Sequence, residues 1–101
     1  MNQLCIVGRL VKNPEGKIIT IAVSRSYKNK EGVYETDFID ALLGNNMSQN
    51  VTEYCRKGDL IGIRGRLENR EIDDGDGHIL RKGMIVVADK VTFLSSRNGG
   101  E

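Results

Sequence analysis

A single segment of the chain has helical periodicity, and its place among the strand-like segments constrains the fold more than any other feature. Four residues of the segment 45–56 fall on one helix face: Met47, Val51, Tyr54 and Cys55. The other apolar segments are short, rich in β-branched residues and separated by turn residues, which is typical of strands. Three precede the helix and two follow it, at 4–11, 17–25, 33–43, 59–70 and 78–94.

This order of elements predicts an all-β fold, a five-stranded OB-fold barrel with one short helix between strands 3 and 4. One helix cannot cover both faces of a parallel sheet, so the order excludes a wound α/β fold. Glycines inside the strands, such as Gly8 and Gly65, indicate bends that curl a sheet into a barrel. The Asp-Gly steps of 73–77 predict the tip of a long hairpin. We expect one OB-fold domain over 1–96 and a short polar tail over 97–101.

The net charge of the chain is only +1, so any polyanion must be held by a local basic patch rather than by overall charge. No apolar run approaches the roughly 18 residues of a membrane-spanning helix, and the first residues do not resemble a secretion signal. Cys5 and Cys55 are the only cysteines. We therefore expect a cytoplasmic protein without membrane contact, in which both cysteines are reduced and buried.

The sequence offers no starting point for catalysis. His78 is the only histidine and lies beside a turn glycine. No Cys-x-x-Cys pair, phosphate-binding loop or G-x-S-x-G elbow occurs. The acidic residues of 73–76 lack the downstream glutamate of a calcium-binding EF-hand loop, and their Asp-Gly pairs already explain them as a turn. We therefore predict a protein that is not an enzyme and that needs neither a metal nor another cofactor.

Six short motifs, in order along nearly the whole chain, resemble the bacterial single-stranded DNA-binding protein family. They are VGRL at 7–10, AVSRSY at 22–27, ETDFI at 35–39, KGD at 57–59, GRL at 65–67 and VTFL at 91–94. The resemblance implies an OB barrel that binds single-stranded DNA with little sequence preference and protects it during replication, recombination and repair. It also implies a nucleoid-associated homo-oligomer, with a tetramer favoured and a dimer possible. The family's acidic C-terminal tail does not occur in this sequence, so we expect no partner recruitment by such a tail.

By position, the resemblance assigns two of the family's stacking sites to Tyr27 and Phe38, whereas Gly44 and Ile72 stand where the family usually has aromatics. An aromatic ring holds any base without reading its identity, because every base has a π face. The residues alone leave both assignments open, since Tyr27 could be a solvated loop tyrosine and Phe38 could belong to the core. Tyr34 is undecided. We expect Tyr54 and Phe93 to be buried.

Phosphate contacts require cations, and five arginines lie on predicted strands, where the backbone fixes their direction. Together with Lys28 they form the predicted phosphate-binding set: Arg9, Arg25, Arg64, Arg66 and Arg70. Arg64, Arg66 and Arg70 have the same parity and should share one face of their strand. The alternative is that these arginines only keep exposed faces soluble and protect sheet edges.

Two other functions are compatible with the same fold. Primosomal replication protein N, which acts in replication restart, is a small OB protein of similar length without an acidic tail. A protein-interaction barrel that has lost DNA binding is the second alternative, favoured by Gly44, Ile72 and the near-neutral charge. Binding of oligo(dT) at low salt separates the interaction barrel from the other two.

Overall fold

The computed structural model describes residues 1–96, and they form five strands and one helix. The elements are β1 (Leu4–Leu10), β2 (Ile18–Lys28), β3 (Tyr34–Leu42), α1 (Asn45–Tyr54), β4 (Leu60–Asp73) and β5 (Ile79–Ser95). The predicted order is confirmed. β2 and β4 each run three residues further than predicted, and the helix ends two residues earlier. The predicted tail over 97–101 lies outside the described residues.

The five strands close into a barrel in the order β1-β2-β3-β5-β4, with β4 pairing back onto β1. All neighbours are antiparallel except β3 and β5, which are parallel and pair only at Ala41–Val86 and Leu42–Val87. β4 and β5 pair along nearly their whole length, from Leu60 to Asp73. This arrangement confirms the predicted five-stranded OB-fold barrel with its helix between β3 and β4.

The long pairing of β4 with β5 extends past the point where the barrel closes. β4 pairs with β1 only up to Gly65, and β5 pairs with β3 only from Val86 onward. Residues 66–73 of β4 therefore pair only with β5, and residues 79–85 of β5 pair only with β4; we call this two-stranded projection the hairpin arm. At its tip, Gly75 and Gly77 have positive φ angles, as the Asp-Gly turn prediction requires.

The core is built from the inward-facing positions of the strands and is closed at one end by the helix. Ile19 and Ile21 of β2 meet Ile61 and Ile63 of β4, and all four are almost completely buried. Burying each such side chain contributes about 1.5–3 kcal/mol relative to leaving it in water. Helix α1 contributes Val51 and, just past its end, Cys55, whose thiol has a raised pKa because it is buried.

Gly8 and Gly65 are required by close approaches between strand backbones. A Cβ on Gly65 would lie 2.2 Å from the carbonyl oxygen of Val87, and one on Gly8 would lie 2.5 Å from that of Ala22. Both contacts are with backbone, which cannot move aside as a flexible side chain can. The predicted bends at these two glycines therefore coincide with close approaches between strand backbones.

Three burial predictions are wrong. Tyr54 is 70% exposed, because Val51 and Cys55 occupy the part of the helix face that meets the barrel. Phe93 is half exposed near the end of β5, beside an irregularity in its pairing with β4. Cys5 is an exposed thiol, since β1 alternates and directs it outward although every residue from Leu4 to Val7 is apolar. Within 1–96, no helix combines the length and apolar character needed to cross a membrane.

Candidate nucleic-acid interface

The outer surface of β3 presents one of the two aromatic side chains expected to stack on bases, that of Phe38. Phe38 pairs across the sheet with Ala22, whereas its neighbour Ile39 packs against the core. Successive side chains of a strand point to opposite faces, so Phe38 lies on the outside of the barrel. Its side chain is 69% exposed, which decides between the two interpretations of Phe38 in favour of a surface residue.

Tyr34 lies on the same face of β3 as Phe38, four residues earlier, at a separation of about 13 Å along a strand. It is exposed, and the ammonium of Lys28 lies 5.6 Å from its ring centroid. This distance allows a cation–π contact, which holds a cation beside an aromatic ring on the open surface. The sequence alone left the role of Tyr34 undecided. Its even spacing from Phe38 was the signal that could have placed it on the same face of β3.

Tyr27 is 62% exposed and lies in β2 rather than in the predicted loop. The strand continues because Lys28 pairs with Tyr34 after an irregularity between Ser24 and Lys28. The predicted loop is therefore wrong over 26–28, and the polar composition of this stretch reflects an exposed strand. Tyr27 projects from a strand that the first residues of β3 hold in place.

Arg25 is engaged by two carboxylates of β3. Its Nε and Nη2 donate to the two carboxylate oxygens of Asp37 at 3.1 and 3.0 Å, and its Nη1 donates to Glu35 at 2.6 Å. The hydrogen bonds and charge of Asp37 raise the pKa of Arg25, and the same contact lowers the pKa of Asp37. Alternation places Arg25 on the opposite face of β2 and β3 from Phe38, because Val23 pairs with Asp37 and packs against the core.

Arg66 and Arg70 lie on one face of the hairpin arm and share a carboxylate between them. Both arginines contact Glu68, with Arg70 Nε donating to it at 2.8 Å, and Arg66 also contacts Asp89. Hydrogen bonds from Arg66 and Arg70 lower the pKa of Glu68. The shared face of Arg66 and Arg70 is as predicted, but their acidic partners were missed. The parity of positions 66, 68 and 70 was a signal for Glu68, whereas nothing in the sequence indicated Asp89.

The remaining two predicted arginines lie elsewhere on the barrel. Arg9 projects outward from β1, and its Nη1 donates to the carbonyl oxygen of Gly58 at 2.9 Å. Arg64 is exposed on β4, opposite Lys90 of β5 and Cys5 of β1. Two like charges directly opposite each other repel, so Arg64 and Lys90 form a small basic patch. A bound anion would reduce the repulsion between them. The predicted residues thus form several groups rather than one cluster.

Two recesses flank the centre of the outer surface. The larger, of about 620 Å³, lies between the β1–β2 turn and the hairpin arm, and its lining includes Lys12, Lys17, Ile18, Ile72 and Arg81. The smaller, of about 290 Å³, lies between β3 and the arm and is lined in part by Phe38, Leu67 and Met84. Ile72, at the family's aromatic position, offers an aliphatic wall in place of a ring.

A hydrogen-bonded pair between β3 and the arm separates the two recesses. Asp40 accepts hydrogen bonds from Thr20 and from Nε of Arg81, both at 2.5 Å. Burial raises the pKa of Asp40, but the hydrogen bonds from Thr20 and Arg81 together outweigh that effect and lower it. The Asp40–Arg81 ion pair, in which the two charges compensate each other, joins the hairpin arm to the barrel beside Phe38.

The acidic tip of the hairpin arm uses its carboxylates to hold the turn. Asp73 accepts from the backbone N–H of Gly75 at 3.0 Å, and Asp74 accepts from those of Asp76 and His78. The hydrogen bond from Asp76 is the largest of the effects that lower the pKa of Asp74. Within residues 1–96, no three His, Cys, Asp or Glu side chains are arranged to hold a metal ion.

The family model that matches this chain is described as the single-strand binding protein family, and the match covers residues 1–94. The chain belongs to the single-strand binding protein family. Within it, the chain is similar to the single-stranded DNA-binding protein of Bacillus cereus, with 37% identity over 99% of this chain and 64% of that protein. It therefore spans less than two thirds of this relative's length.

Two further members of the single-strand binding protein family match almost end to end. Single-stranded DNA-binding protein 1 of Clostridium acetobutylicum is 38% identical, with 96% of each chain covered. Single-stranded DNA-binding protein B of Bacillus subtilis is 33% identical over 95% of this chain and 92% of that protein.

A solved structure supports the fold independently. The small single-stranded DNA-binding protein of Streptomyces coelicolor superposes with a TM-score of 0.66 over 91% of this chain and 93% of that one, at 20% identity. At this level of identity the match concerns the fold alone, and it agrees with the five-stranded barrel.

Proposed function

We propose that this chain binds single-stranded DNA with little sequence preference and catalyses no reaction. The observation that carries the proposal is the exposed Phe38 on the outer face of β3, in a chain that belongs to the single-strand binding protein family. An exposed aromatic ring does not contribute the stabilisation that its burial in the core would give. Stacking against a base accounts for its exposure. Tyr34 extends the aromatic surface along β3 on the face of Phe38, and Tyr27 is a further exposed aromatic on the neighbouring strand β2.

Stacking supplies affinity without sequence discrimination. Each base that stacks on Phe38, Tyr27 or Tyr34 contributes about 1–3 kcal/mol, whichever base it is. The phosphates are held by the proposed cations, namely Arg9, Arg25, Lys28, Arg64, Arg66 and Arg70. Contacts of guanidinium and ammonium groups with phosphates carry no sequence information, so the combination favours general binding.

Phosphate binding by these arginines changes their contacts with neighbouring carboxylates. Arg25, Arg66 and Arg70 already contact carboxylates, so a phosphate must share or displace Asp37 or Glu68. A guanidinium has five N–H donors, which lets one arginine keep a carboxylate contact and add a phosphate contact. We propose that affinity depends strongly on charge and falls steeply as salt increases.

We further propose that the chain acts as a homo-oligomer in the cytoplasm, on nucleoid DNA exposed by replication, recombination or repair. The family resemblance favours a tetramer over a dimer. Multi-angle light scattering at several protein concentrations measures the assembly: a tetrameric mass supports the favoured state, a dimeric mass selects the alternative, and a monomeric mass rejects assembly.

A protein-interaction barrel that does not bind DNA is the second candidate. The carboxylates beside Arg25, Arg66 and Arg70 favour it, because they neutralise the cations that would attract phosphates. Fluorescence polarisation of labelled oligo(dT) at low salt distinguishes the candidates, since a barrel of this second kind leaves the polarisation unchanged. Absence of binding at low salt would therefore reject our main proposal.

The stacking site is tested with Phe38→Ala in the same assay. We expect the dissociation constant to rise by about 5- to 150-fold, which corresponds to the loss of one stacked base. Tyr54→Ala is the matched control, because Tyr54 is an equally exposed aromatic that lies on helix α1. If both variants bind like the unmodified protein, DNA binding stands but Phe38 has no part in it.

A further inference from the structure

The hairpin arm is held to the barrel by side chains at both of its edges. On the β4 edge, the amide of Asn2 donates to the carbonyl oxygen of Leu67 at 2.7 Å and accepts from its N–H at 2.9 Å. On the β5 edge, Nε of Arg81 donates to Asp40 at 2.5 Å. Leu67 lies two residues past the last pair of β4 with β1, whereas Arg81 lies five residues before β5 first pairs with β3. The Arg81 contact therefore holds the arm at the more distant point.

A neighbouring strand fixes the direction of the Asp40 carboxylate. Thr20 pairs with Asp40 across β2 and β3, and its hydroxyl donates to Oδ1 of Asp40 at 2.5 Å. Oδ2 accepts from Nε of Arg81, whose Nη1 donates to the carbonyl oxygen of Leu80 at 2.7 Å. A guanidinium has five N–H donors, and these contacts use two of them, which leaves donors for a further acceptor. We call the contact of Thr20, Asp40 and Arg81 the latch.

The latch forms the wall between the two recesses. Thr20 and Arg81 line the larger recess, beside the β1–β2 turn, whereas Asp40 lines the smaller one beside Phe38. A polymer that runs along the outer face of β3 toward the turn meets this wall. Separation of Arg81 from Asp40 joins the two recesses into one groove between the barrel and the arm.

The latch is weak enough to open reversibly. The side chains of Asp40 and Arg81 are 29% and 47% exposed. An ion pair at such a site shifts an equilibrium by no more than about 5-fold and is screened by salt. Gly83 lies between Arg81 and the part of β5 that pairs with β3, and its φ of +117° is one that other residues rarely adopt. A glycine inside a strand also marks a place where the strand can bend.

We propose that the latch is closed in the free protein and opens when single-stranded DNA binds, as Arg81 passes from Asp40 to a phosphate and the arm bends away from β3. Arg81 thereby adds a phosphate contact to the arginines of the proposed function, and Asp40 is a positioning residue that holds the arm in its unbound position. A phosphate accepts two parallel hydrogen bonds from one guanidinium, so it competes well with a single carboxylate oxygen. The inference rests on the proposed binding of single-stranded DNA.

Amide hydrogen exchange of the free protein tests the latch without DNA. Asp40→Asn and Arg81→Gln should each speed the exchange of the arm amides, at 66–73 and 79–85, by about 2- to 5-fold, as expected for the loss of one partly exposed ion pair. The double variant should exchange no faster than either single variant, because all three lack the same contact. The amide of Ile21 in the core should be unaffected, and an equal rise there would contradict the latch by assigning the effect to the whole fold.

Binding of labelled oligo(dT) separates a latch that DNA opens from a contact that only supports the arm. Asp40→Asn should bind about 2- to 5-fold more tightly at low salt, because the latch no longer has to be broken. Arg81→Gln should bind more weakly, and its slope of log affinity against log salt should be shallower by about 0.7, because one phosphate contact is lost. Glu53→Gln is the matched control for Asp40→Asn, since it makes the same change in net charge on helix α1.

The outcomes distinguish failure of the latch from failure of the proposed function. Unchanged exchange of the arm amides in both variants would overturn the latch and leave DNA binding in place. Affinities that change in the same direction in both variants would also overturn the inference, since the ion pair would then only support the arm. No change of polarisation for the unmodified protein at low salt would reject the function and the opening of the latch by DNA together.

Discussion

Replacing Asp37 with asparagine tests whether the carboxylates around the proposed site limit its affinity for DNA. Asp37 accepts two hydrogen bonds from Arg25 and has a lowered pKa for that reason, so it is charged at neutral pH. Asparagine has nearly the same shape, and its carbonyl oxygen still accepts one hydrogen bond. The substitution therefore removes one negative charge beside Arg25 while keeping the strand pairing.

The expected effect follows from counterion release. If the unmasked Arg25 gains one phosphate contact, the slope of log affinity against log salt becomes steeper by about 0.7 for a single strand. Raising the salt from about 50 to about 200 mM then costs the variant about 2.6-fold more affinity than it costs the unmodified protein. At the lowest salt, Asp37→Asn should bind more tightly than the unmodified protein.

The assay is polarisation of labelled oligo(dT) over that range of salt. Glu53→Gln is the control, because it makes the same change in net charge on helix α1, away from β2 and β3. Equal shifts in the two variants would show that net charge alone matters. A slope for Asp37→Asn that equals the unmodified one would refute the idea that Asp37 withholds Arg25 from phosphate.

Two further predictions concern stability. Gly65→Ala should destabilise the fold by about 1–3 kcal/mol or more, since its Cβ would lie 2.2 Å from a backbone oxygen, whereas Gly62→Ala, whose Cβ would lie 3.7 Å from the Leu94 side chain, should cost much less. Urea unfolding followed by circular dichroism compares them, and equal midpoints would contradict the close approach. The lowered pKa values of Asp40 and Glu68 mean that their stabilisation is fully present above the unfolded values near 4 and is lost as pH falls through the lower folded values. The melting temperature should therefore decrease when the pH is lowered below about 4, and the decrease should be smaller in Asp40→Asn. A decrease of equal size in that variant would exclude Asp40 as a contributor.

The architecture was predictable because each element has its own local signal. The alternation of Ile19 and Ile21 and the spacing of Val51 and Cys55 identify strand and helix without knowledge of their partners. The element order then leaves few folds to choose from. Boundaries were less predictable: β2 continues to Lys28 because Lys28 pairs with Tyr34 of β3, and no local pattern reports that pairing.

Burial was harder to predict than secondary structure. Tyr54 and Leu67 fit the apolar pattern of their elements, yet both are exposed. The pattern gives the direction in which a side chain points, whereas burial also requires that something lies in that direction. For Leu67 the barrel has already closed, and for Tyr54 the helix face that meets the barrel is narrower than its apolar stripe.

The sequence by itself determined the order of strands and helix, the inward rows of the core and the family to which the chain belongs. These properties depend on residues close together in the chain and on motifs in fixed order. The tertiary structure alone decided which carboxylate each arginine meets, as in Arg66 with Asp89 and Arg81 with Asp40. It also decided that β3 and β5 pair over only two residues before they diverge, because the closure of a barrel depends on contacts between strands far apart in sequence.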